Sequence, residues 1–254
     1  MPFPLAHPAA VLPFRRFRHL NSSALLIGAI TPDLSYCYES SGLDAFAHTI
    51  PGCFVFSLPV GWMFVLIFHA VREPLVELLP APHRLALLRS FRKPGPAWFA
   101  VPLSVVIGAA THVFWDSFTH ETGWFVERSS FLQMKLFTMD GHTFRMYRLL
   151  WHISTWMGLF ILCQAYLQTL KQWTGSTQVF VPGERRRYAL WAALLSLPLL
   201  GVLPFLAWRL AGKGTSLAEA LRSLRISAAV YLVAVSLLLI AIGAGLKIRA
   251  RPRE

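Results

Sequence analysis

Three polar side chains interrupt an otherwise apolar stretch at a regular spacing: His112, Asp116 and His120 in THVFWDSFTH. The spacing i, i+4, i+8 lays them along one stripe of a helix, because a turn takes 3.6 residues. Two imidazoles and a carboxylate held in fixed directions are a donor set for a divalent metal. A polar stripe that hydrogen-bonds to loop backbone at a helix end gives the same spacing, and HxxxD alone carries little weight. The setting adds to it. A charged side chain costs ~2.5–3.5 kcal/mol at mid-membrane on insertion scales, so an acid at the end of an apolar span is read first as functional.

Four further residues extend the set: His7 in LAHPAAV, Asp33 in AITPDLSY, His48 in AFAHTIPG and His152 in LLWHIST. Each has a plain alternative. His7 suits an exposed terminal position, Asp33 a turn or cap after Pro32, and His48-Thr49 the N-cap region of the following helix. His152 suits a hydrogen bond between helices. With His112, Asp116 and His120 they fall on one predicted side of a membrane, where all seven could converge. Glu121 is the carboxylate best placed for general-base work. Asp140 and Glu121 are placed to orient ligands, and His142 is an alternative ligand. His19, His69 and His83 read as ordinary surface or interfacial residues.

The elements that must position these residues are helices in a membrane. Of 254 residues 55% are apolar and only 14% charged, against about a quarter charged in soluble domains. That composition excludes disorder. Three scattered cysteines, at 37, 53 and 163 and without a CxxC pair, exclude a disulfide scaffold and cysteine zinc ribbons. A net charge of +12 would suggest nucleic acid in a soluble chain. Here the basic residues are spread over loops between apolar runs, which points to lipid headgroups and to no nucleic-acid partner. No phosphate-binding Gly-rich loop, GxSxG elbow or HExxH motif is present.

Five segments approach the ~20 apolar residues of a membrane span: Phe54 to Val71, Ala97 to Phe118, Leu149 to Leu170, Ala189 to Ala211 and Ile226 to Lys247. Trp98, Tyr147, Trp151, Trp173, Tyr188 and Trp191 lie near their ends, as an aromatic belt requires. Internal prolines at 59, 102, 198 and 204 predict kinks. The opening MPFPLAHPAAVLPFRRFRHL lacks the basic start and small-residue cleavage site of a signal peptide. The expected fold is therefore all-α and polytopic, with about five spans and with residues 1–53 as short helices at one membrane face. Residues 1–170 form the expected metal-site domain, and 171–254 a basic loop with a two-helix anchor. Lys plus Arg number 11 on one predicted side and 13 on the other, a bias too small to orient the chain.

The segments MPFPLAHPAAVLPF, GAITPDLSY, AHTIPG, GAATHVFWDSFTHETGW and YRLLWHIST resemble, in order, a bacterial membrane family called domain of unknown function 4184. The resemblance covers about residues 1–170. That family is similar in turn to membrane-bound metal-dependent hydrolases of bacterial inner membranes, with an early His, a PD pair, a THS-type segment and an SHxxxD helix. Those features correspond to His7, Pro32-Asp33, His48-Thr49 and His112 with Asp116. Both patterns resemble zinc-dependent phospholipase C, an all-helical enzyme. The likeness implies that His7, Asp33, His48, His112, Asp116, His120 and His152 bind zinc at a bacterial inner membrane. It implies hydrolysis of a lipid-linked or headgroup phosphoester, with Trp115, Trp124 and Phe125 near the lipid. The phospholipase pairs its last helical His with a Glu one turn later. Trp156 stands at that position here, which leaves a third ion without a ligand.

Two rival classes remain open at this point: a non-catalytic metal-binding scaffold and a small transporter. A transporter needs acids at mid-membrane in several spans, often in related halves. The fourth and fifth predicted spans carry no His, Asp or Glu.

Overall fold

The structure is a computed structural model that describes residues 3–38, 41–90, 99–139, 142–211 and 217–249. Trp98 and Asp140, named above, lie outside the described residues. The chain is mostly helical. It opens with a 3₁₀ helix, Pro4–Arg16, in which Pro8 and Pro13 withhold the N–H groups an α-helical ladder needs. Then come α1 (Ser22–Gly28), a second 3₁₀ helix (Thr31–Tyr38), α2 (Ser41–Ala47) and α3 (Ile50–Gly52). A π turn, Cys53–Ser57, joins α3 to α4 (Leu58–Glu77). After α5 (Ala81–Ser90) and α6 (Ala100–Asp116) come two short helices, α7 (Trp124–Arg128) and α8 (Ser130–Gln133). Strands β1 (Lys135–Met139) and β2 (His142–Arg145) precede α9 (Met146–Thr174), α10 (Arg185–Ser196), α11 (Leu199–Ala211) and α12 (Leu217–Arg249).

The helical expectation holds, with one addition: β1 and β2 pair antiparallel, with Phe137 opposite Phe144 and Thr138 opposite Thr143. The second predicted span is shorter than expected. Its helix, Ala100–Asp116, has 17 residues, about 25 Å at 1.5 Å per residue. Among the described residues, two helical stretches are long and apolar enough to cross a membrane, Ile50–Glu77 and Pro182–Trp208. Neither is a core helix of the soluble kind, because only 22% and 6% of their most apolar windows are buried. Apolar faces are likewise exposed on α9 (Ile153, Trp156, Met157, Phe160) and on α11 (Leu200, Leu203, Trp208).

The chain divides into two compact units. The first gathers residues 1–35, 40–65 and 93–167 and holds every residue of the site described below. Its centre is the contact of α1 with α6. Asn21 caps α1, its Oδ1 accepting from the Ala24 amide at 2.9 Å, while its own amide donates to Ser104 Oγ at 2.8 Å. Two turns further along, His112 Nδ1 donates to the Ala29 carbonyl at 2.8 Å. Both links join residues 83 apart in sequence, so the two helices run side by side in the same direction.

Between these links the backbones touch through glycine. A Cβ on Gly28 would lie 2.3 Å from the Val105 carbonyl oxygen, and one on Gly108 would lie 2.4 Å from that of Leu25. Ala24, Val65 and Val105 on one side, and Val11, Leu25 and Ala29 on the other, fill the surrounding core. Gly158 in α9 gives the same close approach to the N-terminal helix, where its Cβ would meet the Ala6 carbonyl at 2.8 Å. The second unit gathers residues 36–39, 66–92 and 168–254. There Arg187 donates to the carbonyls at the end of α4, Glu77 at 2.9 Å and Leu79 at 2.8 Å.

The glycine contact gives a direct prediction. Gly108→Val should force α1 and α6 apart, with a loss of about 1–3 kcal/mol typical of overpacking and a lower melting temperature in detergent. Gly201→Ala, where a Cβ meets nothing within 4 Å, should leave the melting temperature unchanged or raised. Equal effects of the two changes would remove the glycine contact from the account.

Candidate metal centre

Six of the seven predicted ligands meet in the first unit. The PD turn puts Asp33 in the first turn of the second 3₁₀ helix, five residues past Gly28. The loop after α2 brings in His48, while Thr49 beside it caps α3 by accepting from the Gly52 amide at 3.0 Å. His112 and Asp116 occupy the last two turns of α6, and His120 lies in the turn beyond. His7 enters from the N-terminal helix, its ring stacked on that of His112 at 3.7 Å. It is 3% exposed.

Three of these histidines are held by the same device. His112 Nδ1 donates to the Ala29 carbonyl at 2.8 Å, His48 Nδ1 to the Asp44 carbonyl at 2.9 Å, and His120 Nδ1 to the Asp116 carbonyl at 3.1 Å. A carbonyl can only accept, so each Nδ1 carries its proton, and in the neutral ring Nε2 keeps the lone pair. A ring committed in this way through one nitrogen is the usual arrangement of a metal-binding histidine. Asp44 adds a carboxylate oxygen 3.4 Å from His48 Nδ1 and accepts from Ser35 Oγ at 2.9 Å.

The Nε2 atoms of His112 and His48 face carboxylate oxygens. His112 Nε2 lies 3.3 Å from Asp33 Oδ1 and 3.2 Å from Asp116 Oδ2. His48 Nε2 lies 3.3 Å from Asp33 Oδ1 and 3.7 Å from Asp116 Oδ2. The other oxygen of Asp116 turns to a second pair, 3.5 Å from His7 Nε2 and 3.6 Å from His120 Nδ1. One donor atom each from Asp33, His48, His112 and Asp116 lies within 4.8 Å of all the others.

Nitrogens facing carboxylates at this range share either a proton, as in the 3.3 Å hydrogen bond of His48 Nε2 with Asp33 Oδ1, or a metal cation. Charge-assisted N–H···O⁻ bonds close to about 2.7–2.9 Å, and the 3.2 to 3.7 Å separations are longer. They match the edge of a tetrahedron about a shared zinc ion, which is about 3.3 Å for ligands at about 2.0–2.1 Å. Both nitrogens of His7, Asp33 Oδ2, His112 Nε2, both oxygens of Asp116 and His120 Nε2 are buried without a hydrogen-bond partner. Such atoms are destabilising unless something satisfies them. The donor set therefore fits a divalent ion.

The charge states of four of these groups follow from burial and their neighbours. Burial and the neighbouring His112 hold His7 down to about 3, so it is a neutral ligand. Burial also lowers His120. For Asp33, burial pushes the carboxyl up, but His112 and His48 outweigh it and hold the group below its usual range. For His48, burial pulls the ring down, but its hydrogen bond to Asp33 leaves it above its ordinary 6.5.

The remaining predicted residues take part in none of these contacts. His152 is exposed on α9, with its ring against Trp151 and stacked on Phe144 of β2. Glu121 is exposed in the turn after His120. His142 opens β2. Sequence reasoning passed over Asp44, the orienting partner of His48. The signal was present in the i, i+4 spacing of the two residues.

Two expectations follow. Asp116→Asn should lose metal, measured by mass spectrometry on protein purified without chelator, while His69→Ala, outside the cluster, should retain it. A ligating imidazole must be deprotonated, and His48 holds its proton above pH 6.5. Metal affinity should therefore rise between about pH 6 and 8 with release of protons, read by calorimetry in buffers of different ionisation heat. A pH-independent affinity would remove His48 from the ligand set.

Comparison with known proteins bears on the whole chain. No curated protein and no solved structure matches it, so the more distant likeness to metal-dependent hydrolases and phospholipase C stands outside these matches. One family profile does match, over residues 1–244. It reaches past residue 170, through most of the two last predicted spans, which the quoted motifs do not cover. The chain belongs to the family described as Domain of unknown function (DUF4184).

Proposed function

We propose that this protein is a multi-pass membrane protein of a bacterial inner membrane, with a zinc centre at one membrane face that hydrolyses a lipid-linked or headgroup phosphoester. The observation that carries the reading is the convergence of His7, Asp33, His48, His112, Asp116 and His120 with seven buried donor atoms unsatisfied.

The five-span arrangement is supported by length and by the exposed apolar faces. Helix α9 has 29 residues, about 44 Å long, against a hydrocarbon layer of about 30 Å. Helix α12 has 33 residues. In the first unit Ser104, His112 and Asp116 are buried, whereas Phe54, Val55, Trp156 and Phe160 are exposed. That inversion suits lipid as the surrounding solvent.

In this reading Asp33, His48, His112 and Asp116 would hold one ion, and His7 and His120, on the other side of the Asp116 carboxylate, would hold a second. Divalent ions held here would supply Lewis-acid polarisation of a phosphoryl oxygen and a water acidic enough to react near neutral pH. Asp116 lies between the two groups, with Oδ2 towards His112 and His48 and Oδ1 towards His7 and His120, and would tie the two halves of the site together. The Ala29 and Asp44 carbonyls keep the His112 and His48 rings from turning. With the imidazoles deprotonated, as ligation requires, Asp33 and Asp116 would give the set two negative charges, which one divalent ion would neutralise and a second would turn positive, to the advantage of an anionic phosphoester. Glu121, exposed next to His120, is assigned the proton transfer.

The four-donor set alone also suits a non-catalytic metal scaffold, so the experiment must separate the two. Wild-type protein purified in mild detergent, without chelator or histidine tag, should carry two ions per chain, and His120→Ala one. In vesicles it should cleave a phospholipid headgroup phosphoester. Glu121→Gln should lower that rate at least tenfold with the metal count unchanged, since a general base contributes about 10²–10⁴-fold. Metal without hydrolysis across a panel of lipid phosphoesters would leave the scaffold. No metal after reconstitution would overturn both.

A further inference from the structure

The segment that follows the metal ligands is built unlike the rest of the first unit. Helices α7 and α8 and the β1–β2 hairpin are too short to span a membrane. Yet Trp124, Phe131 and Phe137 each expose more than half of their surface, and Met134 and Leu136 are also exposed. This exposure is not a product of loose packing. Val126, Leu132 and Tyr147 form a buried cluster beneath, packed by Phe118, Phe125 and Leu150. The amides of Phe125 and Val126 donate to the Ser117 carbonyl at 3.2 and 3.3 Å. Gln133 Nε2 donates to the carbonyls of Val126 and Glu127, and the Met146 amide to that of Met134. A rigid base thus holds an apolar rim outward.

The hairpin adds a second anomaly. Lys135 and Arg145 are direct partners across the two strands, and like charges placed opposite each other are destabilising. Arg128 lies over the Trp124 ring at 4.4 Å, so a third cation stands on the same segment. An isolated two-stranded hairpin is marginal in water, and β1 is exposed from Lys135 to Thr138. Aromatic side chains mixed with Lys and Arg match the boundary of an anionic bilayer, where rings sit at headgroup level and cations meet lipid phosphates.

We propose that α7, α8 and the hairpin form a lip that docks on an anionic lipid surface. Trp124, Phe131 and Phe137 enter the headgroup boundary, and Arg128, Lys135 and Arg145 take lipid phosphates. The lip is bonded to Ser117, next to Asp116, and begins in the turn that carries His120. It holds the metal-centre end of α6 at the headgroup layer. The docking stands on the lip's own residues. Only its meaning for substrate, an anionic lipid headgroup, rests on the hydrolase reading.

The test is hydrogen exchange, by mass spectrometry, of the hairpin amides in the full chain in nanodiscs. Pure phosphatidylcholine is compared with phosphatidylcholine containing phosphatidylglycerol. Exchange should slow in the anionic discs, on the order of fivefold for each cation engaged. About 1 M salt, which shortens screening to about 3 Å, should remove the difference without any substitution. The double variant Lys135→Glu/Arg145→Glu should also remove it while metal content stays at the wild-type level. Equal exchange in both lipids at low salt would overturn the proposal and turn attention to a protein partner, leaving the metal centre untouched.

Discussion

Everything at the site depends on how closely α1 and α6 can approach. Gly28 and Gly108 let the two backbones touch where any Cβ would strike a carbonyl. The contact sets a register in which Ala29 lies beside His112 and the PD turn lies beside the end of α6. A carbonyl at a helix end would otherwise want water or a cap. Here the Ala29 carbonyl accepts from His112 Nδ1 and so fixes both the ring and its tautomer. Small residues at a helix contact are the usual means of close packing where no hydrophobic drive separates protein from lipid. In this chain they also aim a ligand.

The site is arranged at the expense of stability without a cation. Buried histidine nitrogens and carboxylate oxygens face one another at distances too long for strong hydrogen bonds, and several have no partner at all. An ion pair network would have closed those gaps. A metal centre requires them open, because its donors bond to the ion and not to one another. A metal bound here would contribute to folding, since a preformed site rarely exists in the unfolded chain. His7 shows this most clearly. It is neutral, buried and without a hydrogen bond on either nitrogen, and packing of Ala6 on Gly158 holds it in place.

Much of this was legible in the residues. The His112, Asp116, His120 stripe could be read because helix geometry turns a spacing of four into a shared face. The short motifs around His7, Asp33 and His48 single out residues that the structure brings together with His112 and Asp116, although each has a plain local explanation. Their convergence depends on tertiary contacts that spacing does not encode. His152 shows the limit of that reasoning: a shared membrane side is a plane, not a point, and the residue lies against Phe144 instead. The hairpin was missed because its strands are only five and four residues long, with a bulge between Lys135 and Phe137 that breaks the alternation. Asp44 carries only the weaker signal of its i, i+4 spacing to His48, because its role is to hold that ring in place.

The most direct test of the metal centre is anomalous diffraction at the zinc edge from crystals of the zinc-loaded protein. The account predicts two peaks flanking the Asp116 carboxylate, one among Asp33, His48 and His112, the other between His7 and His120. No anomalous peak within reach of Asp116, or zinc bound only at surface residues elsewhere, would contradict it.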